Sequence, residues 1–291
     1  MTPPPPADAR RPAAIVMAAG LGTRMRSKLP KVLHPLCGRP MLAYVIDAGR
    51  EATGSAPLVV YSDATAAIVD AFAGAARFVR QAEPRGTGDA VAVALAQLPA
   101  EAGEVLVLSG DVPRVTPALL EELLEARRLD EAVISLVAVD AFDPSGLGRV
   151  VRTSAGSVDR IVEERDADDE QRAIAQINAG IYAFDGRWLR DRIGALHASP
   201  ATGELYLTEL VAIARAEGRL VTAVDVEDTG PGMTGINDRS QLAQAEWDLR
   251  TDLNVAHMRA GVTMQDPSTV YLDATVELAS DVVLEANVVI R

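Results

Sequence analysis

The chain has 291 residues, 48% of them hydrophobic, with 28 Lys plus Arg against 41 Asp plus Glu and a formal net charge of -13. The length suits one large domain, or one plus an appendage, at about 100 to 200 residues per domain. A surface of that sign repels nucleic acid, phosphates and anionic lipid as a whole, so any polyanion must be met by a local basic patch.

The start, "MTPPPPADARRPAA", has no apolar core of a signal peptide, and no apolar run approaches the roughly 18 residues of a membrane span. Residues 1–12 read as a disordered leader on a cytoplasmic protein without membrane insertion. The single cysteine, Cys37, excludes an internal disulfide and fits a reducing compartment.

From there, short Val- and Ile-rich runs alternate with helical patterns: "AAIVMA" then "PMLAYVIDAGREA", "PLVVYS" then "TAAIVDAFAG", "RFVRQ" then "GDAVAVALAQL", "EVLVLS" then "TPALLEELLEARR". The alternation predicts an α/β fold, a mostly parallel sheet with helices on both faces. The continuously apolar strands agree, because parallel strands are usually buried on both sides. In such sheets the ligand crevice lies off the carboxyl ends of the strands, so the loops after the first, third and fourth strands are where to look.

Between Ala132 and Val226, "AVISLVAV", "GRVVRT", "SVDRIVEE" and "INAGIYAF" follow one another with less helix, which predicts a mixed-sheet extension beside the crevice. A Gly/Pro connector leads into a helical arm, residues 237–262, with a stripe of Leu242, Leu249, Leu253 and Ala256 closed by Gly261. In the tail, Val270, Val276, Val282 and Val288 recur every six residues. That period marks hexapeptide coils of a parallel β-helix, and residues 263–291 supply little more than one coil.

The chemistry-bearing residues sit in the crevice loops. Gly20 and Gly22 follow the first strand; glycines there admit positive φ and let backbone N–H groups approach a phosphate. Alone they fit a tight strand-to-helix turn equally well. They are followed by "RMRSKLPK", four positive charges and no acid, and Lys28 and Lys31 are the only lysines of the chain. A lysine offers a compact point charge where a guanidinium fork would not fit, which singles out Lys31, whereas Lys28 reads as a surface charge. Asp111, just beyond the strand "EVLVL", is placed to hold Mg²⁺, a hard cation with oxygen ligands, or simply to make a turn before Pro113. "QAEPRGTGDA" offers an amide and two loop glycines suited to a base and a ribose, or an ordinary helix start. His34, His197 and His257 lie in no zinc-type spacing.

Together, "AAGLGTRM", "LPKVLH", "QAEPRGTG", "GDVP", "DPSGLGRV", "IVEERDA", "INAGIYAF", "GELYLTEL" and "GINDRSQLAQAE" resemble, in order, the motifs of the bacterial bifunctional N-acetylglucosamine-1-phosphate uridyltransferase/glucosamine-1-phosphate acetyltransferase (GlmU) family. The similarity runs from about residue 13 to 291. It implies a Rossmann-like nucleotidyltransferase domain over residues 13–236, the helical arm, and the beginning of a left-handed β-helix. It further implies that Arg24 and Lys31 act in catalysis and that Ala18, Gly20, Gly22, Gln81, Gly86 and Thr87 bind the nucleotide. By the same matching, Gly148, Glu163 and Asn178 line a sugar-phosphate pocket and Asp111 and Asn237 hold Mg²⁺. Asp89, Ser109, Leu205 and Glu209 depart from the family pattern, where histidine, tyrosine, tyrosine and aspartate are usual.

The implied reaction is uridylyl transfer from UTP to N-acetylglucosamine 1-phosphate, giving UDP-N-acetylglucosamine and pyrophosphate for cell-envelope synthesis. The acetyl-transfer residues of the family lie on later coils, so this chain is expected to lack that activity. It is expected to be monomeric or weakly associated where the full-length family forms homotrimers. The rival readings are another sugar-1-phosphate nucleotidyltransferase, using glucose 1-phosphate or TTP, and a non-catalytic nucleotide-sugar sensor on the same fold.

Overall fold

A computed structural model describes residues 11–291, and most of the expected leader, residues 1–10, lies outside them. The first strand, β1 (Ala13–Met17), leads through the basic loop to a small hairpin of β2 (Pro35–Leu36) and β3 (Arg39–Pro40), then to α1 (Met41–Thr53). β4 (Leu58–Tyr61), α2 (Ala67–Ala71), β5 (Arg77–Arg80), α3 (Thr87–Leu95), β6 (Glu104–Ser109) and α4 (Pro117–Leu129) continue the alternation. Thr116 caps α4 by accepting a bond from the Leu119 N–H, and Pro117 occupies the first turn, where it forfeits no helical bond.

The rest of the sheet comes from β7 (Ile134–Asp140), β8 (Arg149–Arg152), β9 (Val158–Val162), β10 (Gln176–Asp185) and β11 (Val221–Glu227), interleaved with α5 (Asp169–Arg172), α6 (Gly186–Arg192) and α7 (Glu209–Ala216). The strand order is β11-β7-β10-β6-β1-β4-β5. Along it only β10 runs antiparallel to its neighbours. This corrects the expected side extension: β7, β10 and β11 complete the main sheet, and only the β8–β9 ribbon branches off β10. β10 can serve both because its ladder is shared between β6 and β7, with a register shift between Asn178 and Tyr182. Gly180, at φ 72, sits inside that shift, and a Cβ there would collide with Ser109 Oγ at the end of β6.

Each face of the sheet carries its own core. Leu42, Val45 and Ile46 of α1 and Leu120, Leu123 and Leu124 of α4 cover one side. Val91 and Leu95 of α3, Leu189 of α6 and Leu210 of α7 cover the other. Each such side chain fully withdrawn from water contributes about 1.5–3 kcal/mol. These layers hold the strand ends, and so the loops, in fixed positions.

After β11 come α8 (Pro231–Thr234) and the long α9 (Arg239–Arg259), whose N-cap Asp238 accepts bonds from the Ser240 and Gln241 N–H groups. The expected apolar stripe of α9 needs correction. Leu242, Leu249 and Leu253 are half-buried and Ala256 is exposed, while Ala245, Arg250 and Asn254 are buried. Polar groups are buried because they are bonded: Asn254 Nδ2 donates to the Pro267 and Val270 carbonyls at 2.8 and 3.0 Å, and the Arg250 guanidinium lies 4.0 Å over the Tyr271 ring.

The tail forms a single coil of two-residue strands: β12 (Thr263–Met264), β13 (Tyr271–Leu272), β14 (Val283–Leu284) and β15 (Val289–Ile290). β12 pairs in parallel with β14, and β13 with β15. Val270 is buried in its small core, against which Val276, Val282 and Val288 pack. The coil is fastened to the main domain by the β2–β3 turn. Cys37, at φ 44, accepts the Ala274 N–H on its carbonyl at 2.8 Å and donates its own N–H to Glu246 Oε2 at 2.6 Å. Leu36 and Met41 bury beside Ile236 and Ala245 to complete this joint. Burial, with the Glu246 carboxylate alongside, pushes the Cys37 thiol up to about 12. Among the described residues no helix is long and apolar enough to cross a membrane.

Candidate active site

A cleft of about 450 Å³ opens at the carboxyl ends of β1 and β6, bounded by the loops that follow β1 and β5. Ala18, Gly20, Gly22, Lys31, Gln81, Gly86, Thr87 and Asp111 all line it. Among the described residues, the backbone N–H groups of Gly20, Leu21 and Gly22 make no hydrogen bond, so this loop presents unsatisfied donors as an anion-binding loop does. The two glycines differ in what they require. A Cβ at Gly20 would meet nothing within 4 Å, whereas Gly22 sits at φ 58 and a Cβ there would stand 2.5 Å from Lys31 Cβ. Gly22 therefore makes room for the Lys31 stem.

Lys31 lies on a short 3-10 turn, Lys31–Leu33, with its side chain mostly buried. Its ammonium donates to Asp111 Oδ2 and to Asn237 Oδ1, the latter at 3.0 Å. The backbone brings the two acceptors together, since the Ile236 N–H donates to the Asp111 carbonyl at 3.0 Å and the Asn237 N–H to Gln241 Oε1 at 2.7 Å. Two oxygens converging on one positive charge suit Mg²⁺, which is bound by one or two protein oxygens with substrate phosphates and waters completing the shell. Among the described residues no group of three or more His, Cys, Asp or Glu converges, so a cage built wholly of such side chains is not on offer.

The loop before α3 is latched to the segment before α7. Leu205 N–H donates to the Arg85 carbonyl at 2.7 Å, Gly88 N–H to the Leu205 carbonyl at 2.8 Å, and Leu207 N–H to Thr87 Oγ1 at 3.0 Å. Gly86 (φ 110, ψ 178) adopts a conformation essentially reserved for glycine. Thus Gly86 and Thr87 shape the cleft wall as well as lining it.

Gly148, Glu163 and Asn178 do not line this cleft but gather beside it. The Asn178 N–H donates to the Gly148 carbonyl at 2.9 Å, and a Cβ at Gly148 would lie 3.4 Å from the Glu163 carboxylate. Asn178 Nδ2 donates to the Tyr182 hydroxyl at 2.5 Å, and the Gly180 N–H donates to Asn178 Oδ1 at 3.1 Å. Ser109, which does line the cleft, donates to the Gly180 carbonyl at 3.2 Å and links the two regions.

Burial holds the Glu163 carboxyl above the usual carboxylate range, against the Thr208 hydroxyl bonded to it at 2.8 Å and with help from the Asp166 and Glu204 charges. A raised folded-state value means that the native chain gains stability on acidification, as pH falls through that value toward the unfolded one. Glu163→Gln is therefore expected to raise Tm at pH 8, by about 2–4 °C for each kcal/mol relieved. The gain should shrink on acidification and vanish below about pH 4. Melting curves at pH 8, 6 and 4 check the sign; a gain that grew toward acid would refute it.

Arg24 is exposed on the turn Thr23–Met25 and does not line the cleft; Lys28 is exposed as well. Two contributors are not singled out by the sequence. Glu204 faces the cleft, and Arg239 Nε donates to the Met25 carbonyl at 3.0 Å, tying α9 to the basic loop. Both lie inside recognised motifs, "GELYLTEL" and "GINDRSQLAQAE", yet spacing alone assigns neither a partner.

Comparison with known proteins gives the family and the fold. The MobA-like NTP transferase domain matches residues 14–196. The bifunctional protein GlmU of Trichlorobacter lovleyi is 43% identical over 96% of the chain, and that of Leifsonia xyli subsp. xyli 42% over 94%. These matches take in 61% and 57% of the relatives, so the chain spans about three fifths of their length. A crystal structure described as a glucose-1-phosphate thymidylyltransferase from Bacillus anthracis shares the fold at a TM-score of 0.64 and 16% identity, covering 81% of this chain and 94% of that one. With the domain matched from residue 14 to 196, which takes in β1 to β10 and all of the cleft lining but Glu204, the chain belongs to the MobA-like NTP transferase family and is similar to bifunctional GlmU proteins over 94–96% of its length.

Proposed function

We propose that the chain is a Mg²⁺-dependent nucleotidyltransferase that moves the uridylyl group of UTP onto N-acetylglucosamine 1-phosphate. The observation that carries this reading is the Lys31 ammonium bonded to both Asp111 and Asn237 at the mouth of a loop with unsatisfied N–H donors. A phosphate oxygen of the sugar phosphate attacks the α-phosphorus in line, one P–O bond forms, and the bond to pyrophosphate breaks. No side-chain nucleophile is needed, so catalysis is positioning and charge neutralisation.

The Gly20–Gly22 backbone N–H groups receive phosphate oxygens and Lys31 supplies a positive charge beside them, while Arg24, exposed on its turn outside the cleft, acts only if that turn brings it to the bound triphosphate. When bound, Mg²⁺ neutralises charge building on the phosphates, held by Asp111 and Asn237. Gln81, Gly86 and Thr87 hold the uridine side, and Gly148, Glu163 and Asn178 meet the sugar, whose hydroxyls and acetamide need fixed donors and acceptors. The relatives named as bifunctional GlmU support this choice of substrates, and the cytoplasm is where we place the reaction.

The test is pyrophosphate release from UTP and TTP against N-acetylglucosamine 1-phosphate and glucose 1-phosphate, with and without Mg²⁺. The expected result is the highest kcat/KM with UTP and N-acetylglucosamine 1-phosphate, and loss of turnover on chelation. Nucleotide binding without pyrophosphate release under any combination would make the chain a sensor instead.

A further inference from the structure

Thr208 is 6% exposed and stands at the start of α7, where a threonine hydroxyl ordinarily accepts a bond from the first turn of the helix. Here it caps nothing. It donates instead to Glu163 Oε1 at 2.8 Å, across 45 residues of chain. Among the described residues this is the only hydrogen bond or ion pair that the Glu163 carboxylate makes. Oε2 is left without a partner and lies on the side of Gly148, where the missing Cβ, which would stand 3.4 Å away, leaves room.

The groups around Glu163 offer it no free counter-charge. Asp166, on the loop after β9, and Glu204, before α7, are acids, while Tyr182 of β10 and Tyr206 are neutral phenols. A cavity of about 350 Å³ beside Glu163 is also lined by Arg160 and His197, but Arg160 is bonded to Asp159 and His197 to Glu209. Burial, Asp166 and Glu204 all oppose a charged carboxylate here, and the Thr208 hydroxyl is the group that favours it.

We propose that Thr208 is a positioning residue of the sugar pocket: it holds one oxygen of Glu163 and so turns the other toward an N–H or O–H of the bound sugar. A hydroxyl has one hydrogen to donate, and a charged carboxylate accepts at both oxygens. A protonated Glu163 would carry a hydrogen on one oxygen and lose an acceptor. Sugar binding therefore weakens as pH falls through the Glu163 titration, and the Thr208 bond sets how far toward acid it survives. Thr208 acts through Glu163. The inference rests on the proposed function, which seats the sugar at Glu163, and it is read by binding so that it stands apart from turnover.

The experiment is calorimetric titration of the full chain with UDP-N-acetylglucosamine, in the presence of Mg²⁺, from about pH 5 to about pH 8. Each phosphate of this probe is bridged on two sides, so it lacks the monoester proton that leaves near about pH 6. Thr208→Val keeps the shape of the side chain and removes its hydrogen. It is expected to weaken the sugar nucleotide about tenfold at the alkaline end and to move the loss of affinity on acidification to higher pH. UTP affinity should stay within about twofold, since Thr208 does not line the nucleotide cleft. Thr208→Ser, which keeps the hydroxyl, should restore the wild-type profile, and Glu163→Gln should flatten the acid dependence.

A merely structural role would weaken UTP and UDP-N-acetylglucosamine together, or lower affinity alike at every pH, and either result overturns the inference. So does a Thr208→Val profile that matches wild type, or a chain that binds UTP but not the sugar nucleotide. If Thr208→Val fails to fold, Thr208→Ala takes its place with the same expected shift. The expected binding profile without pyrophosphate release would overturn the proposed reaction and leave the role of Thr208 standing.

Discussion

Asp111→Asn is expected to lower kcat by on the order of 100- to 1000-fold, the loss typical when one preorganised charge contact is removed from a reacting centre. The side chain changes by one atom, and the main-chain carbonyl that accepts the Ile236 N–H is untouched, so the fold should survive. What changes is charge. The Lys31 ammonium would face two neutral amides, and the pair of oxygens proposed to hold a divalent cation would lose its only formal negative charge. Pyrophosphate release at saturating and limiting Mg²⁺, with a melting curve on the same sample, separates the two effects. Turnover within threefold of wild type at limiting Mg²⁺ would remove Asp111 from the reaction.

Gly86→Ala should cost about 2–4 kcal/mol of stability, combining a forbidden backbone conformation with overpacking. At φ 110 and ψ 178 an L-residue is strained whatever surrounds it. A Cβ would also stand 2.5 Å from the Leu205 carbonyl oxygen and 2.8 Å from its nitrogen. Leu205 cannot withdraw without breaking its bonds to Arg85 and Gly88, so the whole latch beside the cleft must shift. Gly20→Ala is the matched control, because Gly20 has open space and is not among the positive-φ glycines; its effect on stability should stay within about 0.5 kcal/mol. Equal Tm values for the two variants would contradict the assignment.

The contrast between these two glycines shows where sequence reading stops. Both stand in glycine loops after strands, and in the sequence both read as serving close approach to a ligand. In the structure, Gly86 is demanded by a protein backbone that lies 119 residues further along the chain. The sheet itself is legible, because strands buried on both faces must be continuously apolar, and "AAIVM", "LVVY" and "EVLVLS" are. The side on which β7, β10 and β11 join is not, since composition does not say which edge an antiparallel strand will pair with.

The site is readable as far as motif resemblance carries: Asp111 and Asn237 do meet Lys31, from 80 and 206 residues further along the chain. The face of α9 escapes for a different reason. Periodicity counts apolar residues, and this helix buries Arg250 and Asn254, whose burial is stabilised by a ring and two carbonyls supplied from the tail. Asp89 is visible only as a departure from a family pattern; its bond to Gln81 spans a loop-to-helix turn that spacing does not reveal.

The joint at Cys37 makes the chain its own chemical stopwatch. Alkylating reagents attack the thiolate, and a thiol held at about 12 exposes very little of it at neutral pH. Should the tail and α9 let go of the β2–β3 turn, Cys37 would lose its burial and the neighbouring Glu246 charge and return toward an ordinary thiol near about 8.5. The reactive fraction would then rise by roughly three orders of magnitude. Since Cys37 is the only cysteine in the sequence, the rate at which a sulfhydryl reagent labels the chain counts the openings of that one seam, six residues from Lys31, without any dye or engineered probe.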